Sequence, residues 1–267
     1  MNKVNNVAHR GARSLAPENT MVAFHRGLAE KADLWETDIR PTIDGELVIF
    51  HDETLNRTTD AEKKFPKREL FSSGFTLKEL KELDAGSWFV ETDPFGQIAS
   101  GALSKEEVEA FRGEKIPTLE EALIFTRDAN FPVNLELKKL SDPITEFPMV
   151  DRVLETIKRV GINEELIIFS SFYHEWLREI RQKSPQFVLQ ALVEDIKEVH
   201  IDLENPEFDT YNADQSLITD EDIHKLVSKN ITVNLYTVND LAQMKRFIKA
   251  GVTNIITDFP QLLGKLL

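Results

Sequence analysis

The chain has 267 residues, of which 41% are hydrophobic and 29% charged, and its formal net charge is −14. That length suits one large α/β domain better than two small ones, and the acidity argues against a surface that tracks nucleic-acid phosphates. The absence of cysteine excludes disulfides and thiolate chemistry, and no run approaches the ~20 apolar residues of a membrane span.

Taken from the N-terminus, Met1–Arg10 lacks the roughly 7–15-residue apolar run of a signal peptide. The expectation is therefore a cytoplasmic protein without stable membrane insertion. Val4–Ala8 reads as the first strand, with His9 and Arg10 at its end, opening onto Gly11. A helix follows, in which Met21, Phe24 and Leu28 share one face. The second strand is Leu34–Arg40. Alternation puts Glu36 and Asp38 on one side and Trp35 and Ile39 on the other. Two carboxylates inside a barrel repel each other and are costly to desolvate, unless a hard cation sits between them. An exposed edge strand with its acids in water is the alternative.

Glu46–Phe50 is the third candidate strand, ending at His51. A two-residue turn at Asp44-Gly45 would set His51 opposite Asp38; a parallel strand would bring both to the same rim. About a dozen residues separate Asp38 from His51, too few for a crossover helix. About 65 then lie between Asp52 and Leu119, too many for a loop. That stretch reads as a small inserted subdomain over one end of the fold, at about residues 53–115. It holds a short helix near Thr76–Leu83, the aromatic pair Trp88 and Phe89, and a capping box at Ser104-x-x-Glu107. A second box follows at Thr118-x-x-Glu121.

In Pro132–Leu137 and the residue after it, Asn134, Glu136 and Lys138 share one face and Val133, Leu135 and Leu137 the other. The remaining candidate strands are Leu166–Ser170, Phe187–Val193, Asp209–Ala213 and Thr232–Thr237. Helical periodicity recurs at Val150, Val153, Leu154 and Ile157, and at Leu241, Met244 and Ile248.

Strands alternating with helices over this length predict a (β/α)8 TIM-type barrel. A doubly wound open sheet is the competitor, and no glycine-rich dinucleotide fingerprint follows the first strand to support it. Barrel enzymes gather their chemistry at the C-terminal ends of strands. His9, Glu36, Asp38, His51 and Glu136 all fall there. The three carboxylates make an oxygen-only site suited to one divalent cation, Mg²⁺ or Ca²⁺. Lys138 is a phosphate contact or a neutralising partner for the acids. Two histidines beside a metal suit phosphodiester cleavage, which needs a base for the nucleophile and an acid for the leaving oxygen. His25, His174, His200 and His224 fall at helical or loop positions and are read as packed or surface residues.

At these residues the sequence resembles the glycerophosphodiester phosphodiesterase family. The resemblance is carried by His9-Arg10-Gly11, Pro17-Glu18-Asn19-Thr20, Glu36-Thr37-Asp38, Asp44-Gly45 and His51-Asp52 with Leu55, Arg57, Thr58 and Thr59. It continues through Leu83-Asp84-Ala85-Gly86-Ser87, Ile116–Glu121, Glu136-Leu137-Lys138, Tyr236-Thr237-Val238-Asn239 and Ile256-Thr257-Asp258-Phe259-Pro260. It implies a metal-dependent phosphodiesterase barrel acting on small-molecule glycerophosphodiesters, with the metal on Glu36, Asp38 and Glu136. It implies His9 and His51 as the acid/base pair, and Arg10 and Lys138 as phosphate contacts. Tyr236 stands where many members carry Trp, and with Trp88 and Phe89 it is expected to shape the leaving-group side. The alternatives are a phospholipase-type enzyme cutting an intact lipid headgroup, a barrel glycosidase and a non-catalytic binder.

Overall fold

Nine strands form one sheet in the computed structural model, which describes residues 3–194 and 205–267. They are β1 (Asn5–Ala8), β2 (Leu34–Pro41), β3 (Leu47–Ile49), β4 (Val133–Leu137), β5 (Ile167–Ser171), β6 (Val188–Val193), β7 (Thr210–Asp214), β8 (Thr232–Tyr236) and β9 (Asn254–Thr257). All but β3 are parallel, and β1 pairs with both β2 and β9, which closes eight strands into a barrel. The helices that cover it include α1 (Met21–Ala29) between β1 and β2. Four short helices fill the insertion: α2 (Ala61–Lys64), α3 (Leu77–Glu82), α4 (Ser87–Thr92) and α5 (Lys105–Ala110). Beyond them come α6 (Leu119–Ala129), α7 (Met149–Val160), α8 (His174–Lys183), α9 (Asp220–Ser228), α10 (Leu241–Ala250) and the terminal turn α11 (Pro260–Leu263). His200, read from the sequence as a packed or surface residue, lies outside the described residues.

Two strand assignments are corrected. The third predicted strand is β3, a three-residue segment antiparallel to β2 and not a stave of the barrel. The eighth stave is β9, which the strand pattern did not single out. The β2–β3 pairing sets Arg40 against Val48 and Pro41 against Leu47, and Thr42 donates its backbone N–H to Glu46 at 2.9 Å. The turn is therefore Ile43-Asp44-Gly45, with Gly45 at φ +82°. A three-residue loop with glycine in the left-handed position is a standard hairpin. It shifts the pairing by one residue from the two-residue turn, so that Phe50 donates to the Asp38 carbonyl at 3.0 Å.

The alternation predicted for β2 and β4 holds. Trp35 faces outward against Phe24 of α1 at 4.0 Å between ring centroids, and edge-on to Phe125 of α6 at 5.8 Å. Burying a ring such as Phe24 contributes roughly 1.5–3 kcal/mol, which ties α1 to the barrel wall. Thr20 caps α1 by accepting from Ala23 N–H, and the predicted boxes at Ser104 and Thr118 are both formed. Leu55, Phe75, Leu80 and Leu83 of the insertion pack with Val48 and Phe50 of the β3 arm in an apolar cluster separate from the main core.

Part of the barrel interior is a chain of amides rather than branched aliphatics. Asn134 and Asn212 donate to Gln190, Asn234 donates to Asn212, and Asn254 is held by Asn234 and by Asn5. On β2 and β4 the carboxylates alternate into the same interior, toward the strands' C-terminal ends.

Candidate active site

β2 and β4 are adjacent and in register, which sets Asp38 directly beside Glu136 and Glu36 beside Asn134. Glu36, Asp38 and Glu136 are buried, and one carboxylate oxygen of each lies within 4.8 Å of the others. Lys138 donates to Glu136 at 2.6 Å and lies 3.5 Å from Asp38 Oδ1. Asn19 donates to Asp38 Oδ2 at 2.8 Å while accepting from Thr37. Burial and the repulsion of Asp38 and Glu136 push the Glu36 carboxyl well above its ordinary value. Burial also raises Glu136, with Lys138 working against the shift and Asp38 with it. Asp38 goes the other way: against its burial, His51, Lys138 and Arg10 hold it below the usual carboxylate range.

These groups fit a divalent cation. Asp38 Oδ1 is buried and accepts no hydrogen bond, burial and acid–acid repulsion raise two of the three carboxyls, and the donor set is all oxygen, as a hard cation prefers.

His9 follows β1 directly. Its Nδ1 lies 2.7 Å from Asp258 Oδ1, and its Nε2 lies 3.9 Å from Glu36 Oε2. Against burial, the His9 hydrogen bond, Arg13 and Asn239 hold Asp258 ionised, so the carboxylate can only accept and Nδ1 must donate. Burial, with Arg10 as the next cause, lowers the His9 pKa to about 4. Arg10 adopts a left-handed φ of +52°. That conformation is uncommon outside glycine, and two bonds hold it here: its N–H donates to Glu36 Oε2 at 2.9 Å and its carbonyl accepts from Asn19 at 3.1 Å. Gly11 is required next to it. At φ +77° a Cβ would stand 2.6 Å from the backbone of Ala23.

His51 comes off the end of the β3 arm. Its Nδ1 lies 2.6 Å from Asp52 Oδ1, and Arg57 donates to both oxygens of that carboxylate. Arg40, on β2, donates to the His51 carbonyl at 2.9 Å and to the Lys139 carbonyl at 3.2 Å.

His9, Arg10, Glu36, His51, Glu136 and Lys138 line one cavity of about 480 Å³, walled in part by Phe172 and Tyr236. A larger groove of about 690 Å³ opens between Glu53, Phe71, the 139–147 segment and α8, but it contains none of these groups.

The sequence matches the Glycerophosphoryl diester phosphodiesterase family over residues 9–262. The chain belongs to that family. It is 34% identical to a glycerophosphodiester phosphodiesterase of Caldanaerobacter subterraneus subsp. tengcongensis, over 97% of this chain and 96% of the relative. It is 30% identical to one of Bacillus subtilis, over 97% and 85% of the two chains. Among solved structures, an Oleispira antarctica phosphodiesterase in complex with sn-glycerol-3-phosphate superposes with a TM-score of 0.79 at 27% identity, covering 97% of this chain and 94% of that one.

Within this glycerophosphodiesterase framework the structure gathers His9, Arg10, Glu36, Asp38, His51, Glu136 and Lys138 at one end of the barrel. Tyr236 is on the cavity wall, but its hydroxyl donates to the Val193 carbonyl at 2.9 Å and is committed there. Phe89 is fully buried, edge-on to Trp88 and Phe111, and does not line this cavity. Trp88 does not line the cavity. Its indole N–H donates to Ala85, and its ring lies under the Arg57 guanidinium at 5.8 Å. Sequence reasoning gave no role to Asp52, Asp258, Arg13, Arg57, Glu18 or Asn19. Several of them stood in quoted motifs, which was the available signal.

Proposed function

We propose that the protein hydrolyses glycerophosphodiesters, such as glycerophosphocholine or glycerophosphoethanolamine, to glycerol 3-phosphate and a free alcohol. The observation that carries this reading is the pair of aspartate-held histidines on one cavity with the acidic cluster. The name of the Caldanaerobacter relative and the sn-glycerol-3-phosphate in the Oleispira structure support the same chemistry. In hydrolysis a new P–O bond forms to the nucleophile and the bond to the alcohol breaks. The nucleophile loses a proton and the alcohol gains one. With its Nδ1–H donated to Asp258 and a pKa of about 4, His9 presents a free Nε2 lone pair at neutral pH. His51, with its Nδ1 on Asp52, is the second proton-transfer group. Arg10 and Lys138 neutralise charge on the phosphoryl oxygens. Glu36, Asp38 and Glu136 hold a divalent cation, Mg²⁺ or Ca²⁺, which when bound supplies positive charge where carboxylates alone would repel a phosphate.

The test is a panel of soluble glycerophosphodiesters and phospholipid vesicles, with glycerol 3-phosphate, phosphorylated headgroup and free alcohol measured separately. Glycerol 3-phosphate should appear from the soluble esters. His9→Ala and His51→Ala should each lower kcat by roughly 10²–10⁴-fold, the scale of a lost proton-transfer group. Turnover of vesicles alone would replace this reading with the phospholipase one. Release of phosphorylated headgroup in place of glycerol 3-phosphate would overturn the bond assignment.

A further inference from the structure

Glu18 is 5% exposed and does not itself line the catalytic cavity, although it holds Arg10, which does. Its two oxygens nevertheless receive three guanidiniums. Oε1 takes Arg10 Nη1 and Arg57 Nη2, each at 2.7 Å, and Oε2 takes Arg57 Nη1 and Arg13 Nη2, each at 2.9 Å. The Nε of each arginine faces a different aspartate, within ion-pair distance for Arg10 and Arg13 and in a hydrogen bond for Arg57. Arg10 Nε stands 3.5 Å from Asp38, Arg13 Nε stands 3.6 Å from Asp258, and Arg57 Nε donates to Asp52 at 2.6 Å. Those aspartates belong to the acidic cluster, to His9 and to His51 in turn.

A carboxylate that only balanced charge would need no such arrangement. Here one buried acid is the common end of three arms. The two histidines come from separate segments, one after β1 and one after β3, so their relative orientation is not set by a shared element. We propose that Glu18 is a positioning residue: through Arg13 and Arg57 it fixes both histidine–aspartate pairs, and through Arg10 it anchors the guanidinium beside the acidic cluster. The proposal rests on the reading of His9 and His51 as the proton-transfer pair. Loss of Glu18 leaves three arginines free to draw the aspartates away from the imidazoles, because a charge-assisted pair is strong and seeks another partner.

The experiment compares Glu18→Gln, Arg13→Lys and Arg57→Lys in the full chain. Imidazole nitrogen resonances of His9 and His51 are read by NMR, assigned by their loss in His9→Ala and His51→Ala. Melting temperature and steady-state kinetics are measured alongside. Glu18→Gln should shift both imidazoles and lower kcat by at least about tenfold, less than the ~10²–10⁴ of losing a proton-transfer group outright, with KM changed less. Arg13→Lys should shift His9 alone, and Arg57→Lys His51 alone. If Glu18→Gln does not fold, the two lysine variants decide the matter by this one-arm pattern. Unshifted imidazoles in folded Glu18→Gln, or both lysine variants moving both histidines alike, would overturn the proposal. Shifts in the expected pattern in a protein that turns over no glycerophosphodiester would leave the positioning role standing and sink the substrate reading instead.

Discussion

Two sets of buried carboxylates stand side by side at the catalytic end of the barrel, and they are compensated in opposite ways. In the cluster of Glu36, Asp38 and Glu136, three acids share Lys138 and one face of Arg10. Burial and mutual repulsion raise Glu36 and Glu136. Around Glu18 the ratio is inverted, with one acid among three arginines. Against burial, Arg10, Arg57 and Arg13 hold its carboxyl well below the usual range. The same physical terms, desolvation and Coulomb interaction, thus raise two carboxyls in one place and hold a third ionised in the other. The first is arranged to take up a cation. The second is arranged to keep its shape without one.

The largest test of this contrast is metal removal and return. Chelation should abolish turnover, and Mg²⁺ or Ca²⁺ should restore it. The same cation should raise the melting temperature of the wild type, by linkage of binding to folding, with about 2.7 kcal/mol gained at a hundredfold excess over Kd. Asp38→Asn should lose most of that shift. Glu18→Gln should retain it, because its carboxylate is not part of the cluster. Full activity after exhaustive chelation, or equal loss of the shift in both variants, breaks the distinction.

A smaller effect is the sign of the stability change in the metal-free protein. Glu18→Gln should cost about 3–5 kcal/mol, the scale for breaking a buried ion network by removing one partner. Glu36→Gln should instead raise the melting temperature, by roughly 2–4 °C if it relieves about 1 kcal/mol of repulsion. The pH dependence separates the two. Glu36 has a raised folded pKa, so its contribution grows as pH falls through that value and levels off below the ordinary 4.5. Glu18 has a depressed folded pKa, so its contribution is complete above 4.5 and is lost as pH falls toward the folded value. Metal-free protein should therefore be most stable in mildly acidic solution. Glu36→Gln should flatten the alkaline limb of the melting curve, and Glu18→Gln the acidic limb. Identical limbs in both variants would show that neither carboxylate carries the shift.

The acidic cluster was legible in the sequence and the arginine hub was not, for a reason of distance. Glu36 and Asp38 alternate along one strand, and Glu136 sits in a second segment with the same alternation, so strand periodicity alone aims all three inward. The partners of Glu18 come from positions 10, 13 and 57, and Asp258 meets His9 across 249 residues of chain. No local period reports such contacts. The fold shows the same divide. Strands with four or more alternating positions were found. β9 gives no such signal, because the polar residues of Asn254–Thr257 stand at its two ends and do not alternate with the isoleucines. β3 was found but placed in the barrel, because its apolar run looks the same whether it pairs parallel or antiparallel. Phe89 was aimed at substrate from its place in the insertion, whereas packing against Phe111 draws it into the core.

The smallest effect concerns Trp88 and separates the hub from the cavity wall. Trp88 is tied to the chemistry through Arg57, whose guanidinium lies over its ring and links Glu18 to Asp52. A cation–π contact at a partly exposed site is worth about 0.5–1 kcal/mol. If all of it were felt in the transition state, Trp88→Ala would slow turnover by at most about fivefold. Because the effect passes through His51's support rather than through a headgroup contact, it should be the same for every glycerophosphodiester. Phe172 and Tyr236 line the cavity itself, with rings 6.1 Å apart and edge-on, so Phe172→Ala should change the ratios of kcat/KM among headgroups. The measurement is one panel of headgroups run on both variants. Uniform slowing in Trp88→Ala with altered ratios in Phe172→Ala supports the division. Altered ratios in Trp88→Ala would mean that the insertion meets the leaving group, and the line between positioning hub and substrate wall would have to be redrawn to include it.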